Sequence, residues 1–294
     1  MAYMVVLGEV LFDMLPQGRT LGGAPFNFAF HLNGLGNDVR FISRVGEDAL
    51  GHEILSTMHS WNMDTRFVQK DTEHRTGEVP VTLDDNGTPT FTILEDRAFD
   101  YITMPDVAEF TKVPELVYLG TLAQRNPMSR QTIRDLAASF SGKSRIFLDL
   151  NLRAPFFDES TVTLSLKTAD IVKVSEEELL VVKTMFPHLA QDAEEKFVRQ
   201  LQDELAIDWC CVTKGPQGSV LYVRGEDGFI AQPACTANVF VNSMGAGDAF
   251  SAMMAHGIGQ AWPKEKIVEQ AARFAARACG IEGALPTETH FYHL

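Results

Sequence analysis

Cysteine and long apolar runs are scarce in this 294-residue sequence. Its four cysteines, Cys210, Cys211, Cys235 and Cys279, form no C-x-x-C pair. The adjacent Cys210 and Cys211 lie in the apolar run WCCVT, which favours buried thiols there over a metal site or a disulfide framework. No run of about 18 apolar residues appears, and the amino-terminal MAYMVVLGEV lacks the basic and then apolar segments of a signal peptide. We therefore expect a cytoplasmic protein that does not associate with membranes.

Positive charge is also scarce. The chain has 25 Lys and Arg against 39 Asp and Glu, a formal net charge of −14 at pH 7. Because non-specific nucleic-acid binding depends on clustered Lys and Arg, nucleic acid is not an expected partner, and an anionic ligand would need a local positive site.

Two common nucleotide-binding motifs are missing. The sequence contains no G-x-x-x-x-G-K-[ST], and LGEVLF after the first strand is not G-x-G-x-x-G. These absences argue against the hypotheses of a P-loop ATPase and of a nicotinamide dehydrogenase.

Short apolar runs alternate with helical patterns along the chain. The hydrophobic fraction of 45% is ordinary for a globular protein, and the length suffices for one large α/β domain. Strands that alternate with helices predict βαβ units and a mostly parallel sheet covered on both faces. The predicted strands are YMVVLGEV, ELVYLG, RIFLDL, ADIVKV and DWCCVTKG.

One region has a different period. The stretch GEVPVTLDDNGTPTFTILEDR alternates, turns at DDNG and alternates again, which predicts an antiparallel hairpin. A hairpin inside a parallel α/β chain must pack outside the central sheet, so we expect a small β-sheet appendage that acts as a lid. Its apolar face could meet a second copy of the chain or pack on its own core.

Polar residues follow several predicted strands. Ligands of doubly wound sheets collect at the carboxyl ends of strands, where these residues would meet. Each also has a structural explanation, since the glycines can form a turn and Ser175 with Glu178 forms a capping box. The candidates are Asp13, Gly22, Gly23, Asn27, Asn151, Arg153, Ser175 and Glu178.

The stretch NSMGAGDAF, residues 242–250, places three small residues before an acid at a predicted strand-to-helix junction. Glycines suit the turn, and an acid in the first helical turn suits the helix dipole. Alternatively, the N–H groups of Gly245, Ala246 and Gly247 approach an anion while Asp248 takes a proton. On these residues alone both explanations stay open.

Together these segments resemble the PfkB, or ribokinase-like, carbohydrate kinases. The resemblance extends from Gly8 to about Pro286 and is closest to the bacterial fructokinases. It is carried by GGAPFNFAFHLNGLG, RVGEDALGHEIL, DLNLR, VKVSEEEL, VTKGPQGS and NSMGAGDAF. It implies one α/β domain over residues 1–294, a three-layer sandwich with a central mostly parallel sheet. A small β-sheet lid would be formed by segments about 10–22 and 66–102.

The resemblance also implies roles for individual residues. Asp248 would be the base that takes the proton from the attacking sugar hydroxyl, and the N–H groups of Gly245, Ala246 and Gly247 would form an anion hole. The residues implied to contact the sugar are Asp13, Gly22, Gly23, Asn27, Arg97 and Arg153. Among these, Arg97 would belong to the lid, and Arg153 could also face phosphate oxygens.

ATP and Mg²⁺ are the implied cofactors. Glu178 would organise Mg²⁺ through water, and the residues implied to border the nucleotide are Ser175, Thr213, Gly215, Gly218, Gly283 and Ala284. Two positions depart from the family pattern. Ser175 replaces the asparagine of N-x-x-E, so an amide contact is lost. Asn242 replaces an aspartate that often helps to bind a monovalent cation, which makes activation by K⁺ doubtful.

The implied function is ATP-dependent phosphorylation of a sugar primary hydroxyl, with fructose to fructose 6-phosphate as the leading hypothesis. The alternatives are a kinase for ribose, a keto-deoxy sugar acid or a ribonucleoside, or a non-catalytic sensor of sugar or nucleotide. The run from Gly245 to Asp248 favours an enzyme, because a pure binder would have little use for it. A homodimer through the lid is a further expectation.

Overall fold

The structure of the chain, a computed structural model, describes residues 3–16, 18–83, 89–106, 109–110, 112–189 and 192–293. The predicted DDNG turn, residues 84–87, lies outside the described residues. The strands are β1 (Met4–Leu7), β2 (Leu11–Leu15), β3 (Gly18–Gly22), β4 (Val39–Gly46), β5 (Val68–Asp71), β6 (Gly77–Leu83), β7 (Pro89–Phe91), β8 (Leu116–Leu119), β9 (Arg145–Asp149), β10 (Ile171–Ser175), β11 (Trp209–Thr213), β12 (Ser219–Val223) and β13 (Ile230–Gln232).

Helices connect most of these strands. They are α1 (Ala24–Gly34), α2 (Ala49–Ser60), α3 (Pro127–Phe140), α4 (Glu159–Thr168), α5 (Glu176–Met185), α6 (Glu194–Leu205), α7 (Ala246–Gly259) and α8 (Lys264–Ala278). In the part of the chain that the structure describes, no helix combines the length and the apolar character that crossing a membrane requires.

A nine-stranded sheet forms the centre of the molecule. Its order is β13-β12-β11-β10-β9-β8-β1-β4-β5, and every pair from β11 to β5 is parallel. Strands β12 and β13 continue one edge in antiparallel orientation. The predicted mostly parallel central sheet is therefore confirmed.

Helices cover both faces of this sheet, as the alternation within β1 illustrates. Met4 and Val6 belong to an apolar cluster that includes residues of α1, α2, α7 and α8, whereas Val5 and Leu7 belong to a second cluster with residues of α3, α4, α5 and α6. A parallel strand buried on both faces reads as a continuous apolar run, as MVVL does. The three-layer arrangement is confirmed.

A separate four-stranded sheet has the order β3-β2-β6-β7. Its predicted hairpin, β6 with β7, is antiparallel, and β2 joins β6 in parallel. Val79 and Val81 of β6 are buried, so this apolar face packs within the chain, while Phe91 of β7 is 48% exposed. Strand β5 lies inside the range predicted for the lid but pairs with β4 in the large sheet. The action of the small sheet as a lid stays a prediction.

Candidate active site

The glycine turn before α7 has a conformation that only glycine adopts without strain. Gly245 caps the helix with φ +69°, and a β-carbon there would lie 2.5 Å from the β-carbon of Ala284. The turn therefore packs directly on residue 284, and α7 starts at Ala246. Asp248 lies in the first turn of this helix, at the end that carries a partial positive charge. The Ala246 N–H at this end donates a 3.2 Å hydrogen bond to the Ser243 carbonyl oxygen.

Asp248 meets the start of a second helix. The Nδ2 atom of Asn27 in α1 donates a 2.7 Å hydrogen bond to Oδ2 of Asp248. Helix α1 is capped by Gly23 with φ +105°, where a β-carbon would lie 2.8 Å from the carbonyl oxygen of Glu9. The paired glycines thus let α1 begin close to the backbone after β1, and this places Asn27 beside Asp248.

Asp13 reaches the same place from β2. A β-carbon on Gly22 would lie 3.7 Å from Asp13 Oδ2 and 3.8 Å from Asn27 Oδ1, so the two side chains flank this glycine. Asn27 is 5% exposed, and its Oδ1 has no hydrogen-bond partner within the described residues. A buried acceptor without a donor loses free energy, so this atom is available to a ligand hydroxyl. The structure brings Asp13, Gly22, Gly23, Asn27 and Asp248 together.

Two carboxyl groups of this cluster have a raised pKa. Burial raises the pKa of Asp248 to about 6, and the charge of Asp149 adds to the effect, against Asn27, Lys173 and Arg153. Burial likewise raises the pKa of Asp13 to about 6, with Arg153 opposing. Arg153 is exposed, and in the described part of the chain its guanidinium makes no ion pair. It therefore supplies a local positive charge of the kind that an acidic protein needs to bind an anion.

Glu9 is a site residue that the sequence reasoning missed. It is 3% exposed, and its Oε2 has no hydrogen-bond partner among the described residues. Burial raises its pKa to about 7, while the neighbouring Arg153 lowers it and Asp248 raises it. The available signal was a carboxylate two residues after a fully buried strand, in VVLGEV.

Ser175 and Glu178 form the capping box of α5. The Ser175 hydroxyl accepts from the Glu178 N–H at 3.2 Å, and the Ser175 N–H donates to Glu178 Oε2 at 2.8 Å. The Leu152 N–H also donates to Glu178 Oε1 at 2.6 Å, which ties α5 to the segment that carries Arg153. The structural explanation of this motif is therefore confirmed, and the same carboxylate fixes the segment that carries Arg153.

Glu178 fits a magnesium ion held through water. Among the described residues no group of three or more His, Cys, Asp or Glu side chains could hold a metal directly. Each oxygen of Glu178 accepts one backbone N–H, and a carboxylate oxygen retains acceptor capacity for a further donor. Since Mg²⁺ keeps several waters and needs few protein carboxylates when phosphates are present, this donor set suits it.

The predicted nucleotide residues lie on two loops. Thr213 ends β11, and Gly215 and Gly218 flank the turn to β12, where Gly218 packs against the Gln232 carbonyl. The second loop contacts the site itself: Ala284 touches Gly245, and a β-carbon on Gly283 would lie 2.7 Å from Thr20 Cγ2 in β3. This loop therefore joins the helix α7 turn to the small sheet.

A cavity of about 520 Å³ adjoins the second loop. Arg273 and Arg277 of α8 line it, together with the segment 235–239, Gly280 and Ile281. A larger cavity of about 590 Å³ lies elsewhere, between Asp100, Arg125 and Phe156, and none of the predicted site residues lines it. No predicted site residue lines the smaller cavity either, but its lining residue Ile281 accepts the hydrogen bond from Asn242 Nδ2, and Asn242 precedes the glycine turn.

The two remaining candidates, Arg97 and Asn242, have different surroundings. Arg97 forms no hydrogen bond or ion pair with the other candidate residues in the described ranges; its N–H donates to Asp100 Oδ2 at 3.0 Å. Asn242 fixes the turn before α7, because its Oδ1 accepts from the Met244 N–H at 2.8 Å and its Nδ2 donates to the Ile281 carbonyl at 2.9 Å. The structure therefore does not bring Arg97 to the cluster, and it gives Asn242 a bond that a carboxylate could not donate.

Solved sugar kinases share this fold. The chain superposes on an uncharacterised sugar kinase from Pyrococcus horikoshii, in complex with ATP, with a TM-score of 0.81 at 27% identity, covering 96% of this chain and 93% of that one. The predicted ribokinase-like class is confirmed by this similarity.

The chain belongs to the pfkB family of carbohydrate kinases. The profile described as pfkB family carbohydrate kinase matches residues 15–289. The chain is 30% identical over 302 residues to a fructokinase of Klebsiella pneumoniae, covering 96% of this chain and 95% of that protein. It is 29% identical over 297 residues to a fructokinase of Escherichia coli, covering 95% and 94%. The protein is an ATP-dependent carbohydrate kinase that resembles fructokinases.

Proposed function

We propose that this kinase transfers the γ-phosphoryl group of ATP to the primary hydroxyl of fructose, forming fructose 6-phosphate. Asp248 takes the proton of the attacking hydroxyl, and the N–H groups of Gly245, Ala246 and Gly247 stabilise negative charge on the transferred group. Phosphoryl transfer asks mainly for positioning and electrostatic stabilisation, which a helix N-terminus with small residues can supply.

The 2.7 Å hydrogen bond between Asn27 and Asp248 is the observation that carries the proposal. It joins the helix expected to bind sugar to the expected base, so a hydroxyl bound at Asn27 would lie beside a carboxylate. A pKa of about 6 keeps Asp248 mostly ionised at pH 7. This pKa is also close to the operating pH, which favours efficient proton transfer.

A polyhydroxylated ligand suits the acceptors of this site. Asp13 and the unpartnered Asn27 Oδ1 accept hydrogen bonds from hydroxyls, and Gly22 and Gly23 leave room for a sugar against the backbone. Arg153 faces the phosphate oxygens or the sugar. Arg97 contacts the sugar only if the small sheet moves, because the described geometry does not join it to the cluster.

ATP binds along the two glycine loops in this proposal. The residues that border it are Ser175, Thr213, Gly215, Gly218, Gly283 and Ala284, and a cavity of about 520 Å³ lined by Gly280 and Ile281, just before Gly283, supports the location of the second loop. Glu178 holds Mg²⁺ through water, and the bound ion offsets negative charge on the phosphates. Asn242 carries no charge and is occupied by the Ile281 carbonyl, which supports activity without K⁺.

The small sheet acts as the lid. Thr20 of β3 already touches Gly283, so a movement of this sheet over the site would exclude water and limit ATP hydrolysis. A homodimer through the small sheet remains part of the proposal, and the exposed Phe91 on β7 is an apolar side chain available for it.

The test is ADP release from Mg²⁺-ATP with fructose, ribose, glucose, a keto-deoxy sugar acid and nucleosides. Wild type, Asp248→Asn and the matched control Asp227→Asn, on an exposed turn, are compared. We expect the highest kcat/KM with fructose, a loss of several orders of magnitude in Asp248→Asn and little change in Asp227→Asn. A higher kcat/KM for another acceptor removes only the substrate assignment. Nucleotide binding without any acceptor-dependent ADP release would instead favour the sensor alternative.

A further inference from the structure

A buried ion pair lies beneath the first turns of α7. The Lys173 ammonium is 3.0 Å from Asp149 Oδ1 and 3.3 Å from Asp149 Oδ2, and the Ser251 hydroxyl donates to Asp149 Oδ2 at 2.7 Å. Asp149 and Ser251 are fully buried, and Lys173 is 8% exposed. This cluster of Asp149, Lys173 and Ser251 has no part in the proposed function as described so far.

The sheet fixes the two charged residues side by side. Lys173 in β10 is the register partner of Asp149 in the parallel neighbour β9. Ser251 lies three residues after Asp248 on α7, so it faces the sheet from the same side of the helix. Removing an ion pair from water is costly and often contributes little to stability, so its presence under this helix calls for another explanation.

The ammonium lies close to the glycine turn. A β-carbon on Gly247 would be 3.2 Å from Lys173 Nζ, so the positive charge adjoins the backbone of the proposed anion hole. Burial lowers the pKa of Lys173, but the carboxylates of Asp149, Glu178 and Asp248 outweigh this effect and raise it above its ordinary value. Lys173 is therefore a fixed cation at the buried side of the turn.

We propose that Lys173, held in place by Asp149 and Ser251, is a positioning residue whose charge favours the ionised form of Asp248 and the negative charge that develops at Gly245–Gly247. The proposal rests on the proposed role of Asp248 as base. It assigns opposite effects to the two members of the pair, because Lys173 attracts the Asp248 carboxylate and Asp149 repels it.

Other groups that face Asp248 are known and stay constant in the test. Asn27 on α1 donates to it, Arg153 after β9 lowers its pKa, and the carboxyl of Glu9 after β1 interacts with it. Since none of them is altered, a change in the acid limb of the pH profile is attributable to the pair.

The experiment measures kcat/KM against pH with Mg²⁺-ATP and fructose, or the panel acceptor with the highest kcat/KM. We expect the acid limb of Lys173→Met to move to higher pH and that of Asp149→Asn to lower pH, while the control Asp227→Asn keeps the wild-type limb. The kcat of Lys173→Met should fall on the order of tenfold or more while the sugar KM changes little, because the lost charge acts on the transition state. Lys173→Arg should restore part of the rate.

The double variant Lys173→Met/Asp149→Leu covers the case in which a single charge left buried prevents folding. Its acid limb should return toward that of wild type. Shifts of Lys173→Met and Asp149→Asn in the same direction, or an unchanged limb and kcat in Lys173→Met, would overturn the inference. If Asp248→Asn keeps wild-type activity, the proposed function fails first, so the two failures are distinguishable.

Discussion

Replacing Asp248 with asparagine should stabilise the folded protein above pH 6 while it removes activity. The pKa of Asp248 is raised from 3.8 to about 6, so the folded state binds this proton more tightly than the unfolded state does. The ionised form therefore destabilises the fold as the pH rises from about 4 through 6. At about 1.4 kcal/mol per unit of pKa, the cost at pH 8 reaches about 3 kcal/mol.

This value is an upper limit, because the carboxylate keeps partial access to solvent. The substituted side chain retains an acceptor oxygen for the Asn27 Nδ2 hydrogen bond, so the geometry of the site should be preserved. The stability gain should then depend on pH and reflect the loss of a charge rather than the loss of a contact.

Urea denaturation of wild type and Asp248→Asn at pH 8 and at pH 4 measures this effect. We expect the variant to be more stable than wild type at pH 8 and to have nearly equal stability at pH 4. Asp227→Asn, on its exposed turn, should differ little from wild type at either pH. A variant that loses the same free energy of unfolding at both pH values would refute the reasoning.

Three further predictions concern the surroundings of the site. Gly245→Ala should abolish activity and destabilise the folded protein by more than Gly228→Ala does, because both glycines have positive φ but only Gly245 packs on residue 284. ADP release measures the activity and urea denaturation the stability. Equal losses of stability in the two variants would contradict this prediction. Burial lowers the pKa of His31 to about 4, so the folded state binds this proton less tightly than the unfolded state does. As the pH falls from 6.5 toward 4, the free energy of unfolding should therefore decrease by about 3 kcal/mol. His31→Gln should flatten that part of the stability curve. Replacing K⁺ with choline should leave kcat within about twofold, because Asn242 is uncharged, whereas a larger loss would argue for a cation site.

Much of the fold could be predicted from the sequence, because buried parallel strands and amphipathic helices leave strong periodic signals. The runs MVVL, RIFLD and IVKVS became β1, β9 and β10. The hairpin of β6 and β7 could also be predicted, because apolar and polar residues alternate along both strands. Strand β5 was not, because a short strand such as VQKD carries no pattern that tells which of two sheets it joins.

The candidate site was predictable where motifs carried it and not where packing did. Asp248 and Asn27 lie 221 positions apart, and only a family pattern suggested that they meet. Glu9 and Lys173 each stand as one charge in an apolar run, and no local rule tells which neighbour compensates such a charge. Their partners depend on strand register and helix placement, which are properties of the complete fold.

The Asn27–Asp248 hydrogen bond joins two parts of the chain that are far apart in the sequence. Nearly the whole polypeptide must be synthesised before the two side chains can meet, so a growing or truncated chain lacks the contact between the proposed base and α1. The exposed turn between β12 and β13 offers a place to divide the chain, with β1 to β12 on one fragment and α7 on the other. Sugar phosphorylation would then be recovered only when the two fragments associate, so the activity would measure the assembly of the divided enzyme.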